Sequence, residues 1–121
     1  MTKQLLQKET DRYLKNGKEL LKKAEKRGKF YTDEKYIKLA GHAFYSGVLI
    51  ALDEIMPKKA KNEKEYRAFL ANKNKTVLKH FKNAYDILHR SMGYDGILNY
   101  IVIREGIKSA ETVITWVLKQ K

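Results

Sequence analysis

The chain contains no cysteine and only one proline. Without cysteine there is no disulfide framework, no thiolate metal site and no cysteine nucleophile. The single proline, Pro57, disfavours a helical residue before it and so marks one break near the middle of the chain. Acidic residues are also few: 14 Asp and Glu stand against 26 Lys and Arg, a net charge of +12 over 121 residues. No apolar run approaches the ~20 residues needed to cross a bilayer. The start, Met1-Thr2-Lys3-Gln4-Leu5-Leu6-Gln7-Lys8, lacks the apolar core of a signal peptide. A cytoplasmic protein with no membrane partner is expected. Walker, G-x-G-x-x-G and G-x-S-x-G motifs are absent, which removes the commonest phosphate-cradling and nucleophile-elbow chemistries.

What the chain does have is helical periodicity. The most apolar segment runs from Tyr36 to Ile55, where Ile37, Ala40, Phe44, Gly47, Val48, Ala51 and Ile55 recur at spacings of three and four. A helix apolar on most of its circumference must be covered on several sides. Three further segments are available to cover it. The expectation is all-α: one domain over residues 1–121, an antiparallel up-down-up-down four-helix bundle with helices at about 2–27, 32–56, 63–92 and 97–119. Helix 1 ends at Gly28, and Thr32 caps helix 2. Asn62 and Glu65 form a capping box for helix 3. The apolar period survives across Lys73 and Asn74, so one long third helix is preferred to a break at Asn72–Lys75. The β-branched run Ile101–Ile103 would suit a strand, but Ile103, Ile107, Ala110, Ile114 and Val117 keep a helical spacing.

Charge is unevenly spread. Residues 1–29 carry ten basic and four acidic groups, and residues 57–92 carry ten and three, whereas residues 32–56 carry two and four. Lys8, Arg12, Lys15, Lys22 and Lys26 form a stripe on helix 1, and Lys75, Lys79 and Lys82 lie opposite the apolar row of helix 3. These are the candidate nucleic-acid-binding residues, because lysine neutralises phosphate without reading sequence. The alternative is a solvated face that only keeps the protein soluble.

Sites for other chemistry are sparse. His80 and His89 are nine residues apart, His42 is on another helix and no Glu-x-x-His motif occurs, so no metal and no cofactor is expected. His42, Ser46 and Asp53 share a polar strip on helix 2, but Ser46 and Asp53 are two turns apart and a nucleophile needs its base within hydrogen-bond reach. The eight tyrosines mostly fall on core positions; Tyr31, Tyr45 and Tyr94 are expected to be partly exposed.

The LLKKAEK stretch of helix 1, followed by Tyr36-Ile-Lys-Leu-Ala-Gly-His-Ala-Phe-Tyr-Ser-Gly-Val-Leu-Ile-Ala-Leu-Asp-Glu-Ile55, resembles the first two helices of HEPN bundles. The whole chain also looks like a small family of basic helical proteins from Bacteroidetes that has no assigned role. The HEPN resemblance implies RNA cleavage or partnership with a nucleotidyltransferase. HEPN ribonucleases use an arginine followed by four to six residues and then a histidine. None of Arg12, Arg27, Arg67, Arg90 and Arg104 has a histidine at that offset. No catalytic residue is therefore carried over.

Three readings follow. The first is a non-enzymatic helical binding module, as a homodimer through Ile101, Val102, Val113 and Trp116 or with another protein partner. The second is sequence-independent nucleic-acid binding through the lysine faces. The third is a nucleotidyltransferase partner or a diverged ribonuclease.

Overall fold

The computed structural model describes residues 1–121 and is mostly helical, with five α-helices. Helix α1 (Lys3–Ala24) leads into a hairpin of β1 (Lys26–Arg27) and β2 (Phe30–Tyr31). Helix α2 (Glu34–Ile55) follows, then α3 (Glu63–Lys73) and α4 (Lys75–Ala84). Helix α4 continues into a π-helical segment, Tyr85–Met92, and α5 (Tyr100–Gln120) closes the chain.

Helix 1 stops three residues short of the expected end. Glu25 turns the chain at φ 52°, and the hairpin pairs Lys26 with Tyr31 and Arg27 with Phe30. Gly28 does not end a helix. It takes φ +62° at the first central position of a two-residue hairpin turn, where a left-handed residue matches the strand twist. Thr32 does not cap α2 either. Its hydroxyl contacts the free carbonyls of Ala24 (2.9 Å) and Glu25 (3.2 Å) at the end of α1. Asp33 caps α2 instead, accepting from the Lys35 amide.

The continuous third helix is also corrected. Asn74 lies extended at φ −162°, ψ 111°. Its backbone N–H closes α3 on Leu70, and its side chain opens α4 by accepting from the Val77 amide at 3.0 Å. A side chain that caps a new helix competes with propagation of the old one. Asn62 does accept from the Glu65 amide, while the Glu65 carboxylate reaches the amide of Lys61 rather than that of Asn62.

Beyond Tyr85 the helix widens. Gly93 N–H donates to Leu88 and Asp95 N–H to Arg90, both five residues back and both at 3.0 Å. Two glycines make room for this wider turn. A Cβ on Gly41 of α2 would lie 2.5 Å from the Leu88 carbonyl oxygen, and one on Gly106 of α5 would collide with the Ile87 side chain. Their backbones therefore press directly on the π segment from two sides.

Helix α5 starts at Tyr100, capped by Asn99. Just before it the chain is extended and pairs with the hairpin: Tyr31 N–H donates to Leu98, and Tyr100 N–H to Lys29, each at 2.9 Å. Helix α1 packs mainly on α2, α2 on α5 and the π segment, and α4 on α5. One cluster of 23 buried residues fills the interior, with Phe44, Phe81, Leu6 and Ile37 among its largest members. A buried polar link ties α4 to α5, where the Ser109 hydroxyl accepts from Asn83 at 2.8 Å and meets His80 Nδ1 at 3.2 Å. No helix is long and apolar enough to cross a membrane.

Candidate functional site

Chain connectivity concentrates cations and aromatic rings where the end of α1, the hairpin and the start of α5 meet. The backbone bonds between hairpin and Leu98–Tyr100 fix Tyr31 and Tyr100 side by side, with ring centroids 6.2 Å apart. Helical spacing on α1 brings Lys18 and Lys22 along one edge, the hairpin adds Lys26 from β1, and with Leu21 these residues line a groove of about 290 Å³. The Lys26 ammonium lies 3.8 Å from the centre of the Tyr100 ring, and the Arg104 guanidinium 5.7 Å from it. Burial first, and then the neighbouring Tyr100, holds the Tyr31 phenol above its ordinary pKa, so it stays neutral. Arg27, Lys29 and Phe30 are exposed on the hairpin, Arg27 and Phe30 on the face opposite Lys26 and Tyr31, and Phe30 is 54% exposed. Within the groove only Lys18 is drawn off, by Glu111 at 3.5 Å.

The two lysine groups expected to act together are separated. Lys8, Arg12, Lys15, Lys22 and Lys26 are all exposed near or on α1, and Arg12 is paired with Glu9 at 2.9 Å. Lys75, Lys79 and Lys82 are exposed on α4, which packs on α5 and not on α1. No single groove contains both. The signal that sequence reasoning missed is the interleaving of Lys26, Arg27, Lys29 with Phe30 and Tyr31. Read as a helix end, it gave no hint that Tyr100 would join it from across the chain.

The polar strip on α2 is not a constellation. His42 is exposed and sits against Gly93, and Ser46 is half-buried. Asp53 accepts a 2.7 Å hydrogen bond from the Tyr66 hydroxyl. No hydrogen bond joins the three. Of the tyrosines expected to be partly exposed, Tyr94 is (65%), but Tyr31 and Tyr45 are buried at 9% and 7%. The proposed dimer face is likewise thinned: Val113 is fully buried, Val102 and Trp116 are half-buried, and only Ile101 is exposed, at 49%.

A family model described as a domain of unknown function, DUF5618, matches residues 6–119. A solved structure described as a protein of unknown function from Dyadobacter fermentans is 40% identical, with a TM-score of 0.92 over 99% of this chain and 98% of that one. No curated protein matches the chain.

Proposed function

From the premise that the chain belongs to the DUF5618 family, whose description assigns no activity, we propose that it is a non-enzymatic module that binds single-stranded nucleic acid without base readout. The observation that carries this reading is the Lys26 ammonium 3.8 Å over Tyr100, in a groove shared with Lys22 and Tyr31. Single strands are held by cations that follow the phosphates and by rings on which bases stack. Lys22, Lys26, Arg27, Lys29 and Arg104 supply the cations; the exposed Phe30 and the half-buried Tyr100 supply the rings. Base-specific duplex readout needs a helix or ribbon long enough to enter a groove, and the hairpin strands at this face are two residues each. In this reading the whole chain acts as one domain and its helices alternate in direction. A second copy would have to dock over the exposed Phe30 and Ile101, in competition with the strand.

The test is fluorescence anisotropy of a labelled random-sequence RNA and its DNA counterpart at two salt concentrations. Five neutralised phosphates on a single strand give a log–log salt slope of about −3.5, so affinity falls roughly a hundredfold between about 50 and 200 mM salt. No binding at the lower salt, or a salt-independent constant, rejects the proposal.

A further inference from the structure

A second cluster, on α2, α3 and the π segment, has a different chemistry. Tyr45, Tyr85 and His89 form a ring-walled recess: His89 lies 5.0 Å from Tyr45 and 5.2 Å from Tyr85, and the two tyrosines are 6.0 Å apart. The exposed Tyr94 ring closes on His89 edge-on at 5.0 Å. The recess holds about 380 Å³, within the range of small-molecule sites, and Glu63 and Lys61 stand at its margin.

Its polar groups are the informative part. Tyr45 is 93% removed from solvent, yet its hydroxyl makes no hydrogen bond within the chain, in contrast to Tyr66, whose hydroxyl is bound to Asp53. The Tyr85 hydroxyl and both ring nitrogens of His89 likewise make no hydrogen bond in the chain, and none of these atoms is sealed from water. Glu63 Oε2 and Arg67 Nε are shielded from water and pair with each other. The Tyr45 and Tyr85 hydroxyls and the His89 ring nitrogens belong to residues that line the recess, and all are available to bond a ligand there. Burial raises the Tyr45 pKa and lowers that of His89, so at neutral pH both are uncharged. Tyr45 offers a donor, His89 one donor and one acceptor, and Glu63 acceptors.

We infer that this recess binds a nucleobase-type heterocycle, a planar ring with donors and acceptors on its edge, stacked against Tyr85 and His89 with Tyr45 bonding the edge. The alternatives fit less well. An aliphatic ligand leaves the Tyr45 hydroxyl unbonded. A simple anion finds no cation among the ring walls, and an organic cation would compete with Arg67, whose guanidinium lies 5.3 Å over the Tyr85 ring. Lys61 at the margin suits the phosphate of a nucleotide. The base could belong to a free nucleotide or be turned out of a strand. This site shares no residue with the α1–hairpin–α5 face and stands or falls separately from it.

The experiment is an NMR titration of the full, isotopically labelled chain with AMP, GMP, CMP and UMP, and then with short RNA oligomers. The expected result is saturable shifts of the Tyr45, Tyr85 and His89 side-chain resonances. Tyr45→Phe keeps the ring and removes the hydroxyl. It should weaken binding roughly three- to tenfold, the effect of one neutral hydrogen bond. Saturation by monophosphates identifies the free nucleotide as the source, and saturation by oligomers alone identifies a base within a strand. The double variant Lys22→Glu/Lys26→Glu should leave monophosphate binding within about twofold. Absence of saturable shifts with all ligands, equal binding by Tyr45→Phe, or loss of monophosphate binding in the double variant overturns the inference.

Discussion

The titratable residues that burial perturbs all favour their neutral forms. His89 has its pKa lowered, by burial first and then by His42 and Arg90, with Glu63 opposing. Tyr45 and Tyr66 are raised, by burial first and then, for Tyr66, by its bond to Asp53. The sign of the stability effect follows from proton counting. Between the folded and unfolded pKa of His89, the unfolded chain binds more protons than the folded one, so stability rises with pH through that window. Acidification below about 6.5, the ordinary histidine value, therefore weakens the fold. Urea unfolding followed from pH 7.5 down to 5 should show that loss, and His89→Gln should flatten it; an unchanged acid limb in the variant refutes the assignment. The raised tyrosines contribute stability that is fully present below about pH 10 and is lost as the pH climbs. The histidines and tyrosines are all visible in the sequence, but their environments are not. Tyr45, expected to be partly exposed, is buried because α3 and the π segment close over it.

Among the elements, the π segment is the one that local pattern could not supply. Its residues keep a helical apolar spacing, with Leu88 and Met92 fully buried. What widens the turn is the close fit of α2 and α5 through Gly41 and Gly106, a long-range matter. Gly41 stands inside the helical apolar segment of the sequence, where glycine costs stability without a packing reason. Its partner was invisible, since Leu88 is 47 positions away in the chain. In an ordinary helix interior, glycine to alanine stabilises by about 1 kcal/mol. At Gly41 the sign reverses, because the added methyl would face a carbonyl oxygen that cannot move without unwinding the π turn. Gly41→Ala should lower stability by at least about 2 kcal/mol. Thermal and chemical denaturation of that variant measure this directly, and a stabilised variant disproves the close fit. Capping signals were read more successfully where they are local: Asn62 caps α3 as expected. They failed where two candidates sat side by side, and Thr32 went back to cap α1 while Asp33 took α2.

For the molecule as a whole, position matters more than total charge. The lysines of α1 and the hairpin share a face with aromatic rings, and those of α4 lie elsewhere. At physiological salt the Debye length is about 8 Å, so exposed charges on separate faces act nearly independently. Two triple reversals change the net charge equally and differ only in place. Lys22→Glu/Lys26→Glu/Lys29→Glu should reduce RNA affinity by at least about tenfold more than Lys75→Glu/Lys79→Glu/Lys82→Glu in the same buffer. Equal losses in the two variants contradict a localised site and leave only a diffuse charge effect.

The amino-acid order alone carried the all-helical class, the extent of α2, the buried rows of α2 and α5 and the uneven charge, because each depends on neighbours within a few residues. It misled at the end of α1, where Glu25–Lys29 pairs well in a helix but forms a hairpin held by Thr32, Leu98 and Tyr100. It misled again along residues 63–92, where one capping asparagine and two distant glycines break a period that looks continuous. Both candidate sites arise at such places. Tyr100 joins Lys26, and His89 joins Tyr45, only after the chain has folded back on itself. Contacts of this kind depend on how separate elements pack, and no local spacing records them.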